Sequence, residues 1–255
     1  MESNHPKPSK KMLDQVTRLK NKGIPLTDYH VHIRGGMTFE KALDWAQKTN
    51  IRSSAIENHG RNWPLSNDSD IKAFIEEGRN FPELLIGLQV NDRDWYQIID
   101  PYLIKRLDFV LSDTMVMDGQ KLWLENDYST EDEEAWLQKY YAHCLQILSE
   151  PITVFSNPLY LPGKMMHLYE KFWTTKRQTV IIEKAIENNI AFEIQSKTQF
   201  PHIEFIKLAI QKGAKICVGR NNHDDSVDEL ERSLNWLEEL GVKQENMLDL
   251  QKENL

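Results

Sequence analysis

The sequence predicts one α/β domain of the barrel type, a parallel sheet closed on itself and covered by helices. Three observations carry this. Strand-like and helix-like stretches alternate almost throughout, as parallel strands joined by crossover helices require. About seven such units can be read along the chain, one short of the eight of a regular barrel. The 255 residues suit a single barrel folding as one unit, with enough chain to bury a full core.

The elements follow in order. Residues 1–22 read as a polar, lysine-rich lead-in with a first helix, and 23–255 as the barrel domain. Leu26 to Ile33 is the first strand. Thr38 is placed as an N-cap, and Phe39 to Ala46 has helical periodicity. Arg52 to Glu57 is the second strand, followed by a loop with Trp63-Pro64 and a helix over Asp70 to Arg79. Leu84 to Val90 is the third strand, and Asp94 to Leu107 is helical with a break at Pro101. Asp108 to Ser112 is the fourth strand, and an acidic loop leads to a helix over Asp132 to Leu148. Ile152 to Ser156, Ala191 to Gln195 and Lys215 to Gly219 are strands five to seven. Helices are expected over Thr175 to Asn188, Phe205 to Lys212 and Val227 to Leu240, the last stopped by Gly241.

Bulk properties exclude some functions. A net charge of −8 argues against nucleic acid as a partner, because its binders present a net basic face. It leaves room for a small anionic substrate held by local positive charge. No apolar run is long enough to span a bilayer, so no membrane role is expected. The N-terminus lacks the apolar stretch of a signal peptide. Cys144 and Cys217 form no CxxC and sit in apolar surroundings, so both read as buried free thiols. These features point to a reducing compartment, the cytoplasm. They do not bear on oligomeric state.

In such folds ligands sit beyond the carboxyl ends of the strands. The first strand delivers Asp28, His30, His32 and Arg34 there, and the second Glu57, Asn58 and His59. The third delivers Gln89 and Asn91, the fourth Asp113, the fifth Asn157. The sixth delivers Glu193, Gln195 and Lys197, and the seventh Arg220, Asn221, Asn222 and His223. His30 and His32, two apart on a strand, share a face and could reach one metal ion. On the fourth strand, whether Asp113 or Met115 faces the pocket depends on the register. His143, His167 and His202 lie away from the strand ends and read as surface or capping residues. The loop opened by Pro162-Gly163 could cover the pocket, with Met165, Met166 and Trp173 on it.

Taken together, Asp28-Tyr29-His30-Val31-His32, Glu57-Asn58-His59-Gly60, Ile86 to Val90, Asp108 to Leu111, Ser156-Asn157-Pro158 and Gly219 to His223 resemble, in order, the motifs of the PHP (polymerase and histidinol phosphatase) family. The resemblance implies a distorted seven-stranded βα barrel that holds a metal cluster and hydrolyses phosphoesters. His30, His32, His59 and His223 keep the ligand type it implies. Asn58 and Asn221 stand where it implies aspartates, Gln89 for a bridging glutamate, and Asn157 and Met115 for histidines. Dications held together need anionic oxygens between them, and amides supply none. The full multi-metal cluster is therefore not expected. The sequence also resembles a branch of PHP-like barrels that shares the Asp28 to Gly36 opening, the Asn157 to Pro162 turn and the Gly219 to Asn222 strand end.

Two functional readings follow, in different classes. The first is a phosphoesterase-like hydrolase with one divalent ion (Zn, Fe, Mn or Ni) on His30, His32 and His223, with His59 and Asn221 as further ligands. Glu57, Glu193 or Asp113 would serve catalysis, and Arg34, Gln89, Asn157, Lys197, Arg220 and Asn222 would bind a small anionic substrate. The second is a catalytically retired barrel that binds a sugar or other small polar ligand without metal. Trp63, Trp95 and Tyr160 would cover its apolar faces. A metal-free enzyme using Glu57 or Glu193 as base, or an amidohydrolase opened by the same His-x-His, has less in the sequence to support it.

Overall fold

The computed structural model describes residues 7–124, 132–198, 200–223 and 230–251. It is a closed barrel of seven parallel strands. These are β1 (Thr27–Asp28), β2 (Arg52–His59), β3 (Leu85–Val90), β4 (Phe109–Ser112), β5 (Val154–Phe155), β6 (Ala191–Gln195) and β7 (Ile216–Gly219). Each pairs with its neighbour in chain order, and Asp28 pairing with Val218 closes the ring between β1 and β7. The expected seven-stranded α/β barrel is therefore what the chain forms.

The interior is filled in two layers that the strand period of two separates. Tyr29, Ile56, Leu85, Phe109, Leu111, Val154 and Cys217 form an apolar plug inside the ring. Two residues further along, the inward positions turn polar: Asn58 after Ile56, Asp113 after Leu111, Ser156 after Val154. The outward positions, Phe192 and Ile194 among them, join the large core under the helices. The last residues close the bottom. Leu248 and Leu250 pack on the plug, and the Tyr29 hydroxyl hydrogen-bonds the Leu248 carbonyl and the Leu250 N–H, each at 3.3 Å.

The helices form where capping and periodicity predict. Thr38 accepts a hydrogen bond from the Lys41 N–H and opens Phe39–Thr49. Pro101 splits the third crossover into Trp95–Ile98 and Pro101–Lys105, the second capped by Asp100. The final helix, Glu231–Glu239, ends before Gly241, whose φ of +59° glycine tolerates. The start expected for it at Val227 lies outside the described residues.

Three local expectations change. The first strand is regular only over Thr27–Asp28, and then continues as single bridges, Val31 with Asn222 and His32 with Ile56. The first helix expected within residues 1–22 forms at Lys10–Asn21, capped by Ser9, but it is no loose lead-in: its Met12, Val16 and Leu19 join the main core. Its Arg18 pairs with Glu238 at 2.7 Å. The acidic loop after β4 begins as a two-stranded ribbon, Val116–Met117 against Gln120–Lys121. Asp118 and Gly119 turn it with φ of +52° and +76°, the hairpin geometry that an Asp-Gly pair favours.

Gly87 faces the plug, where a Cβ would come within 2.5 Å of the Phe109 ring. Gly87→Ala is therefore expected to destabilise the fold by about 1–3 kcal/mol, read as a lower urea midpoint. An unchanged midpoint would mean that the ring moves aside freely.

Candidate functional site

Above the plug, the polar strand ends open into a cleft of about 470 Å³. Arg34, Asn58, Gln89, Asn91, Asp113, Lys197, Asn221 and His223 line it together with Trp63, Met115, Trp123 and Thr198. Asp113 and Met115 both face it, since they are two residues apart. Trp63 leaves β2 and Trp123 follows the ribbon; their rings stand 6.4 Å apart, tilted by 46°. The Lys121 ammonium lies 4.9 Å from the Trp63 ring centre and 5.9 Å from that of Trp123.

The histidines continue inward from this cleft as a chain of contacts. An Arg34 guanidinium nitrogen lies 3.1 Å from Nδ1 of His32. Nε2 of His32 lies 3.2 Å from Nε2 of His30. Nδ1 of His30 lies 2.7 Å from Glu193, whose other oxygen accepts from the Ser156 hydroxyl. A guanidinium nitrogen always carries hydrogen. Nδ1 of His32 must then be the bare nitrogen, and its proton sits on Nε2, donated to His30. His30 in turn donates from Nδ1 to Glu193. Every donor meets an acceptor in this one direction. His223 stacks on His32 with ring centres 4.5 Å apart.

Burial and charge act oppositely on these rings. Burial together with His30, Arg34 and His223 holds His32 well below the usual imidazole range. Burial also lowers His30, but the carboxylates of Glu193, Asp113 and Asp28 outweigh it and leave His30 raised. Gly219 makes the His30–Glu193 contact sterically feasible, since a Cβ there would overlap the Glu193 carboxylate.

Across the cleft, Asp113 accepts from the Met115 N–H at 2.9 Å and from the Gln89 amide at 3.1 Å, with the Asn157 amide at 3.5 Å. Burial raises its pKa. Arg34 donates to Asn58 at 2.6 Å and faces Glu57 at 3.5 Å. Burial raises Glu57, partly offset by the Asn58 N–H and by Arg34.

Several expected site residues stand elsewhere. Arg220 is fully buried, bonded to Asp28 and stacked 4.9 Å over Trp45, so its guanidinium lies outside the cleft lining. His59 is one residue beyond the inward Asn58 and so points outward, its Nδ1 bonded to the Leu65 carbonyl at 2.7 Å. Glu193 lies beneath the cleft and Glu57 behind Arg34, so neither meets the cleft surface. Asn157 supports Asp113 from below, and Asn222 is buried where its backbone bridges Val31. Trp95 is buried against Glu150, Tyr160 packs on Phe200, and Met165 and Trp173 are core. His143 is buried too, its pKa pushed down to about 3 by burial, where a surface or capping role was expected.

Trp123, Thr198 and Ser156 were not anticipated as site residues. For Trp123 the signal was available in the Asp118-Gly119 hairpin pair.

A metal ion fits this arrangement poorly. Among the described residues no three His, Cys, Asp or Glu side chains are placed to hold one. His30 has the carboxylate behind it that a metal-bound imidazole needs. His32 has a hydrogen-bond donor there instead, so the nitrogen turned toward His30 carries a proton and no free lone pair.

No family model and no curated protein sequence matches the chain. Among solved structures it is similar to a 3-hexulose-6-phosphate synthase, 10% identical over 84% of this chain and 99% of that one, with a TM-score of 0.32. It is likewise similar to Streptococcus suis SuiB bound to S-adenosylmethionine, 10% identical over 81% of this chain and 50% of that one, also at 0.32. Likeness at that level bears on neither ligand nor chemistry. Among the described residues no helix is long and apolar enough to cross a membrane.

Two outcomes are expected here. Arg220→Met, which strands the buried Asp28 carboxylate, should lower stability by roughly 3–5 kcal/mol in denaturant unfolding. A negligible loss would put Arg220 back among the ligand-binding cations. In nitrogen-detected NMR, His30 should take up a proton first on acidification. That proton must be donated to His32, so His32 should switch from its Nε2–H to its Nδ1–H form in the same step, which breaks its contact with Arg34. Independent titration of the two rings would contradict the chain of contacts.

Proposed function

We propose that this chain is a divergent PHP-like barrel that binds a small polar ligand in the cleft at its strand ends, without a resident metal ion, in the cytoplasm. The observation that carries this reading is the Arg34 guanidinium on Nδ1 of His32. It assigns the histidine pair to hydrogen bonding, while amides, one carboxyl group and two indoles make up most of the cleft wall. Such a wall suits a small molecule with several hydrogen-bonding groups and some apolar surface. Nucleic acid is not the partner on this reading, given the net charge of −8.

One observation favours a second reading, a phosphoesterase-like hydrolase with a single divalent ion. The two Nε2 atoms stand 3.2 Å apart, and nitrogens on one tetrahedral ion would stand about 3.3 Å apart. That arrangement requires Arg34 to leave His32 and the His32 proton to move to Nδ1.

Elemental analysis of protein purified without added metal or affinity tag separates the two. The proposed reading expects no stoichiometric Zn, Fe, Mn or Ni, and the same result for His30→Ala/His32→Ala. Near-equimolar metal that disappears in the double variant would overturn it. A ligand found by screening is expected to bind Trp63→Ala about tenfold more weakly, seen in titration calorimetry.

A further inference from the structure

Resting on the reading that the cleft binds a small polar ligand, we infer that the ligand is an organic amine whose protonated nitrogen donates to Asp113 and whose apolar arm lies against Met115, Trp63 and Trp123. Asp113 lines the cleft and is only 6% exposed. Its hydrogen-bond partners are all neutral. The Met115 N–H donates to one oxygen at 2.9 Å, and the amides of Gln89 and Asn157 approach the other at 3.1 and 3.5 Å. Among the described residues none of these contacts is to a cation. His30 and Arg93 are near enough to act on its charge, but each is committed elsewhere, His30 to Glu193 at 2.7 Å and Arg93 to Glu150 at 3.2 Å. The cations at the cleft are engaged too. Arg34 is held by Glu57, Asn58 and His32, and Lys197 and His223 have interactions of their own. Asp113 is thus the cleft's charge without an opposite charge in contact.

A carboxylate taken out of water without a cation is costly. An ammonium offsets that cost with a charge-assisted hydrogen bond. The oxygen that accepts from Met115 has a second lone pair for it. The rest of the wall suits the remainder of such a molecule. Met115 stands two residues beyond Asp113 on the same face, so apolar surface adjoins the anion. The Met115 carbonyl accepts from the Leu122 N–H at 2.8 Å, which holds Trp123 on the same wall. The indoles already receive an ammonium, since Lys121 lies 4.9 Å from the ring centre of Trp63 and 5.9 Å from that of Trp123. Their faces therefore accept positive charge as well as apolar surface. A net charge of −8 favours the approach of a cation. A neutral ligand would leave Asp113 without a counter-charge, and an anion would meet its repulsion. The volume of about 470 Å³ is in the range of small-molecule sites.

The test titrates the full chain by calorimetry with three probes of one shape and different charge: phenethylamine, 2-phenylethanol and 3-phenylpropionate. Phenethylamine should bind at least ~10-fold more tightly than either of the others. Asp113→Asn should bring the amine down to the affinity of the alcohol and leave the alcohol's own affinity unchanged. A purely structural role for Asp113 would weaken both probes alike. The comparison within the wild-type chain stands even if that variant does not fold. The inference is overturned if the alcohol or the carboxylate binds as tightly as the amine, if Asp113→Asn keeps the preference for the amine or weakens both probes alike, or if the amine does not bind at millimolar concentration. A screen of neutral and anionic small molecules separates that failure from failure of the underlying reading. Hits weakened in Trp63→Ala leave the cleft as a binding site for an uncharged or anionic ligand, and silence across the screen removes both.

Discussion

The Asp28 carboxylate is the tie on which the barrel and its site both depend. It ends β1 and accepts hydrogen bonds from the backbone N–H groups of His30 and Arg220 and from the Arg220 side chain. The ring closes there through the ladder pair of Asp28 with Val218, continued by the bridge between Val31 and Asn222. One buried ion pair therefore joins the first strand to the last and sets where His30 leaves the barrel wall. The Trp45 ring beneath the guanidinium completes the arrangement by covering a cation that water cannot reach. His30, Glu193 and Ser156 follow from that placement, and so does the glycine at 219 that leaves room for them.

Above this joint, the division between scaffold and site is a matter of two residues along each strand. Ile56 and Asn58, Leu111 and Asp113, and Val154 and Ser156 occupy the same inward column, the first of each pair in the apolar plug and the second at the polar end. This change was legible in the sequence, which is why the strands and most cleft residues could be named from it. The expected site residues that point elsewhere do so for a common physical reason. Arg220 and His59 sit at strand ends with suitable chemistry but point to the outer side, and a displacement of one residue decides between the two faces. Near β1 even the strand period fails, because Val31 and His32 bridge different neighbours. No periodicity argument could rank His30 and His32 above Arg220.

The amides also have two meanings that sequence comparison alone merges. Asn157 and Asn221 adopt left-handed backbone conformations, with φ of +46° and +54°. Asparagine is among the residues that tolerate that geometry best. Their presence at two strand ends thus answers a turn requirement. Asn58 and Gln89 have no such backbone reason. Their amides serve contacts, one to Arg34 and one to Asp113.

The seal beneath Tyr29 has a kinetic consequence. With Leu248 and Leu250 packed across the bottom and the tyrosine hydroxyl bonded to the backbone there, the barrel axis is blocked by the segment that carries these two leucines. A molecule held above the plug must leave by the path it entered. On the proposed reading, a ligand would enter and leave past the rings of Trp63 and Trp123, the second of which follows the ribbon turned by Asp118 and Gly119.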